Sequence, residues 1–142
     1  MPEALEVAAR ALTRRDYSEQ ELRDRLARAG IEPAEAHETL AALRERGLLD
    51  DSRFAGARAQ ALAERGRGDL AIRFDLEGRG VDAELIEEAL ATLEPERERA
   101  ERIVLGRGSG PKTARFLAQR GFDPEVVELA VEAALRGTPE RR

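Results

Sequence analysis

One apolar pattern is written three times along the chain, and that repetition constrains the fold more than any other feature. Leu22, Leu26, Gly30 and Ile31 recur as Ile72, Leu76, Gly80 and Val81, and again as Thr113, Leu117, Gly121 and Phe122, with the same spacing each time. Ten positions past each glycine stands Leu40, Leu90 or Val131, and thirteen past it stands Leu43, Leu93 or Ala134. Apolar residues three and four apart share one face of an α-helix, and a long fixed period marks tandem structural units.

Each copy reads as a helix, a glycine stop and a second helix. Ser18 with Glu21 forms a capping box, Asp69 stands at the equivalent boundary of the second copy, and Gly110-Pro111 puts proline at a first helical position in the third. The following helices restart in one register at Glu32-Pro33, Asp82-Ala83 and Asp123-Pro124. One further helix precedes each pair: Glu3 to Arg15, Ser52 to Arg65 with Asp50 or Asp51 as cap, and Pro95 to Leu105. The sequence therefore predicts an all-α chain of nine helices in three tandem three-helix repeats, residues 1–50, 51–94 and 95–142, arranged as a continuous, elongated array. Units this short bury little surface alone, so neighbours are expected to support one another. Composition agrees: Ala, Leu, Glu and Arg dominate, and four Phe and one Tyr are the only aromatic residues, which leaves little material for strands.

Several function classes are disfavoured. The absence of Cys removes disulfides, thiolate metal sites and a cysteine nucleophile. No apolar run approaches the ~20 residues that span a bilayer, and the start Met1-Pro2-Glu3-Ala4 lacks a basic leader. A cytoplasmic protein is expected. The one histidine, His37, has no gathered co-ligands, and none of Ser18, Ser52 and Ser109 stands in a nucleophile-elbow sequence. Gly106 to Thr113 looks like a phosphate-binding loop, but Pro111 replaces the required glycine and offers no N–H, and the preceding segment reads as a helix rather than a strand. A binding protein without metal or cofactor is the reading that remains.

Net charge is −5, unevenly spread: residues 95–142 hold ten Lys/Arg against eight Asp/Glu, and residues 1–94 hold fourteen against twenty-one. Carboxylates gather on the third helix of each unit, for example Glu35, Glu38, Glu84, Glu87, Glu88, Glu125, Glu128 and Glu132, whereas arginines gather on the first and second. The candidate contact residues are Arg14, Arg15, Arg53, Arg58, Arg65, Arg67, Arg73, Arg79, Lys112, Arg115 and Arg120; Arg97, Arg99, Arg102 and Arg107 belong to the same charge stripe. Arginine's planar fork suits phosphate or carboxylate. The plainer expectation is that about half of these only form weak surface pairs with nearby acids. With so few aromatics, stacking of single-stranded bases has little support.

Leu48-Leu49-Asp50-Asp51-Ser52-Arg53-Phe54-Ala55, followed by Arg65-Gly66-Arg67-Gly68 and Gly80-Val81, resembles the signature of the RecX family of recombinase regulators. Ala11-Leu12-x-Arg14-Arg15-x-Tyr17-Ser18-x-x-Glu21-Leu22 and Phe116-Leu117-x-x-Arg120-Gly121-Phe122 resemble that family's first and third repeats. The chain departs from the family at Leu48, where Tyr is common, and at Asp69-Leu70, where Gly-Pro is common. The resemblance implies an extended, curved, monomeric molecule that binds the RecA filament on single-stranded DNA in its groove and inhibits ATP hydrolysis, strand exchange and SOS co-protease activity, with weak direct DNA contact at most. The residues themselves leave open a second reading, a nucleic-acid binder that acts without RecA, which the basic third copy favours and the overall acidity opposes.

Overall fold

The structure, a computed structural model, describes residues 2–137; among these are nine α-helices and no strand. The first unit holds α1 (Pro2–Leu12), α2 (Glu19–Arg28) and α3 (Pro33–Glu45), and the second holds α4 (Asp51–Glu64), α5 (Asp69–Gly78) and α6 (Ala83–Ala91). The third holds α7 (Glu96–Arg107), α8 (Pro111–Gln119) and α9 (Pro124–Gly137). The repeated apolar positions are the buried ones: Leu22 and Leu26 on α2, Ile72 and Leu76 on α5, Thr113 and Leu117 on α8. After each of these helices a glycine with positive φ reverses the chain (Gly30 +84°, Gly80 +80°, Gly121 +87°). The next residue then donates back across the turn, Ile31 to Leu26, Val81 to Leu76 and Phe122 to Leu117. Its side chain enters the core, which ties the stop signal to the packing.

The core is not continuous. One apolar cluster runs from Ala4 to Leu49, a second from Phe54 to Leu93 and a third from Ala100 to Ala130, each closed by the three helices of its own unit. The expected support between neighbours takes a polar form, and it takes the same form twice. The start of the second helix of one unit seats on the glycine turn of the next. At the first junction the Ser18 hydroxyl donates to the Arg79 carbonyl (2.6 Å). At the second, the Gly68 and Leu70 amides donate to the carbonyls of Arg120 (2.9 Å) and Gly121 (3.0 Å). In both, a carboxylate at the first position of the following unit's first helix accepts the first amide of the seated helix. Asp51 accepts from Glu19 N (2.8 Å), and Glu96 accepts from Asp69 N (2.8 Å).

Close approach at the junctions requires glycine. A Cβ on Gly80 would lie 2.4 Å from the Gln20 Cβ, and one on Gly121 would lie 2.4 Å from the Ala71 Cβ and 2.7 Å from its backbone nitrogen, whereas one on Gly30 would meet nothing within 4 Å. The same turn thus stops a helix in all three units and serves as a socket in two.

The structure moves some helix limits. α1 ends at Leu12 rather than Arg15, because the chain turns to bring Tyr17 into the first core. The cap of α5 is Gly68, not Asp69, whose carboxylate is taken by Arg99. Between the two candidates for α4, Asp50 is the cap, accepting from Arg53 N (3.1 Å), and Asp51 serves the junction.

Candidate binding surface

Ser18 is fully buried and completes the predicted capping box: its oxygen accepts from Glu21 N (3.1 Å), and Glu21 Oε1 accepts from Ser18 N (3.1 Å). The cap fixes the Glu21 carboxylate at the seam between the first two units, and a chain of charges starts there. Arg15 Nη1 donates to Glu21 Oε1 (3.2 Å) while its guanidinium lies 3.7 Å from the centre of the Tyr17 ring. Arg79 Nη1 donates to Glu21 Oε2 (2.6 Å), and Arg79 Nε donates to Asp75 Oδ2 (3.0 Å). Arg58 grips Asp75 with both Nε (2.9 Å) and Nη2 (3.1 Å). Burial pushes both carboxyls upward, but the Ser18 amide with Arg15 and Arg79 outweighs it at Glu21, and Arg58 with Arg79 outweighs it at Asp75. Both are held below the usual carboxylate range.

These pairs floor a cleft of about 600 Å³, whose walls also carry Leu62, Arg65, Arg67, Ala71, Phe74 and Gly78. Phe74 is 78% exposed. Its place follows from the helix: Ile72 and Leu76 point α5 into the core, and a residue two positions from each lies roughly 200° away around the axis. Arg65 and Arg67 are exposed beside it, and no ion pair among the described residues engages their guanidinium groups. Sequence reasoning named the arginines and passed over Phe74. The signal was available, since an aromatic between two core positions of a helix falls on the solvated face.

The eleven candidate cations do not form one surface. Arg58, Arg65, Arg67 and Arg79 share the cleft, and Arg15 joins it through Glu21. Arg73 is held by Glu87 on α6 through two bonds of 2.8 and 3.1 Å, so the acidic third helix and the basic second helix meet rather than forming separate stripes. Arg53 donates to the Gly47 carbonyl (3.1 Å), and Arg14 is exposed at the end of α1. Lys112 and Arg115 are exposed on α8, and Arg120 lies 5.1 Å from the Phe116 ring, which Arg107 covers at 3.7 Å. Arg99, counted with the stripe, is instead 6% exposed and structural: it bonds the carbonyls of Glu94 and Arg67 and the Asp69 carboxylate. It occupies the position that Phe54 holds in α4, three residues into the unit's first helix.

Among the described residues no group of three His, Cys, Asp or Glu could hold a metal ion, and His37 is exposed. The phosphate-loop look-alike runs from the end of α7 into α8, with Pro111 at the first helical position. Among the described residues no helix is long and apolar enough to cross a membrane.

Comparison with known proteins places these observations. Residues 4–43 match the sequence model of the first three-helix domain of RecX, and residues 50–90 match that of the second. The chain is 40% identical to the regulatory protein RecX of Chromohalobacter salexigens, over 92% of each chain. It is 37% identical to that of Halorhodospira halophila, over 91% of this chain and 86% of the relative. Among solved structures, RecX from Lactobacillus salivarius superposes with a TM-score of 0.80 at 18% identity, covering 93% of this chain and 94% of that one.

Proposed function

This chain belongs to the RecX family of regulatory proteins, and on that premise we propose that it regulates the RecA recombinase by lying in the groove of the RecA filament on single-stranded DNA. Bound there as a monomer in the cytoplasm, it inhibits the filament's ATP hydrolysis, strand exchange and co-protease activity, and so restrains recombination, DNA repair and the SOS response. It acts by binding, with no catalysis and no cofactor. Residues 1–50, 51–94 and 95–142 are its three successive units, and the outward cations, Arg65, Arg67, Lys112 and Arg115 first among them, are its contacts. The observation that carries this reading is the twice-repeated junction. Like bodies coupled in fixed succession suit a helical polymer that presents like surfaces in succession.

The test is ATP hydrolysis by RecA on single-stranded DNA during titration with this protein. Inhibition is expected well below one copy per RecA subunit. No inhibition, together with clear binding to bare DNA, would overturn the reading. One feature favours that alternative: residues 102–122 hold five Lys/Arg and no Asp or Glu, a local excess in a chain of net charge −5. A phosphate-driven complex would weaken steeply between low and moderate salt and would not need the recombinase.

A further inference from the structure

The cleft on the second unit combines features that the fold does not need. Phe74 is the most exposed large apolar side chain described, at 78%, and the core of its unit is already closed by Ile72, Leu76 and their neighbours. The cleft floor is rigid, because Arg58, Asp75, Arg79 and Glu21 hold one another through the bonds given above. Arg65 and Arg67 stand on the wall with no carboxylate partner among the described residues. An aromatic side chain flanked by arginines beside a preorganised concavity is the composition of a protein-binding hot spot.

We infer that this cleft docks a segment of protein that carries carboxylates beside a large apolar side chain: the apolar group packs on Phe74, and Arg65 and Arg67 take the carboxylates. Four arginines against Glu21 and Asp75 leave the cleft with a net positive charge, which sets the sign of the occupant. One further observation favours protein over nucleic acid: among the described residues Phe74 is the one aromatic ring lining the cleft, so successive bases have no row of platforms. The inference rests on the reading above in taking a recombinase surface as the biological source of that segment. The chemistry of the cleft stands apart from that source.

The experiment has two readouts. The isotopically labelled full chain is titrated with an acidic leucine-bearing peptide, (Glu-Glu-Leu)₄, and separately with oligothymidylate, while backbone amide shifts are followed. The peptide is expected to shift residues around Arg65, Arg67, Phe74 and Arg79. Phe74→Ala, and separately Arg65→Glu with Arg67→Glu, is expected to weaken it by roughly thirtyfold, a hot-spot-sized loss. Peptide shifts confined elsewhere, or oligothymidylate occupying the cleft in place of the peptide, would overturn the inference. The same variants are then compared in the RecA ATPase titration. Phe74→Ala that inhibits as well as the unaltered protein also overturns it. Failure of the unaltered protein to inhibit sinks the recombinase reading instead, and a peptide result in the cleft still supports the docking surface. The circular dichroism and melting temperature of Phe74→Ala should match those of the unaltered chain, since its ring packs against no core.

Discussion

At the scale of single residues, the carboxylates fall into two groups with opposite responses to acid. Glu21 and Asp75, held low by arginines and by the Ser18 amide, contribute stability that is present above the ordinary carboxylate range and is lost as pH falls through their depressed values. Asp51 and Glu96 behave in the other sense. Burial is the largest influence on each and pushes it up, against the backbone amides that each accepts. Their folded forms bind the proton more tightly than the unfolded chain does, so their contribution is greatest below the unfolded carboxylate value and declines as pH rises through the raised one. Asp51→Asn keeps an acceptor for Glu19 N and removes the desolvated charge. It should be no less stable than the unaltered protein at pH 7 and should flatten the pH dependence across the carboxylate range. Asp51→Ala, which orphans that amide, should cost about 1 kcal/mol. Denaturant titrations at pH 4 and pH 7 decide this, and equal losses for both variants would show that the charge itself matters. The role of Asp51 was only half legible in the sequence. Two adjacent aspartates before a helix announce a cap, but which one caps and which reaches the neighbouring unit depends on a partner 32 residues away.

At the scale of elements, the helices and their stops were readable because each rests on local chemistry: an apolar face, a capping box at Ser18, proline at the starts of α3, α8 and α9, and glycine at the turns. What the pattern could not say is that one glycine position has two duties. Gly30, Gly80 and Gly121 look alike in the sequence, yet only the latter two are pressed by the preceding unit. Gly30→Ala should cost about 1–2 kcal/mol, the strain of an L-residue in left-handed backbone. Gly121→Ala should add roughly 1–3 kcal/mol of overpacking against the Ala71 backbone. Gly80→Ala should fall between them, since the Gln20 side chain it meets can move. Thermal unfolding of the three variants tests the order, and equal losses would mean that the sockets yield. The same limit explains the site. Charge patterning found the arginines, but whether Arg73 is bound by Glu87 or Arg65 is left unpaired is settled by tertiary contacts that spacing along one helix does not reveal.

At the scale of the whole molecule, three closed apolar cores joined by hydrogen bonds imply limited cooperativity. Stability in such an array is close to a sum of unit and junction contributions, and the junctions here are made by hydrogen-bonded polar groups of backbone and side chain rather than by shared apolar side chains. Leu117→Ala, at a fully buried position, should lower amide-exchange protection throughout α7, α8 and α9 by about 2–5 kcal/mol. Amides of α2 and α3 should stay close to their original protection. A uniform fall across the chain would instead show that the three units unfold as one.

The second junction has a consequence for how such chains tolerate change. Its contacts run from the amides of Gly68 and Leu70 to the carbonyls of Arg120 and Gly121, groups that every residue but proline supplies in full. A coupling of this kind reads the path of the backbone and fixes side chains at only a few places: glycine at 121, Glu96 on the Asp69 amide, and Arg99 on the Arg67 carbonyl and the Asp69 carboxylate. The exposed faces are therefore free to be rewritten unit by unit, for new partners, without the joint between units being redesigned.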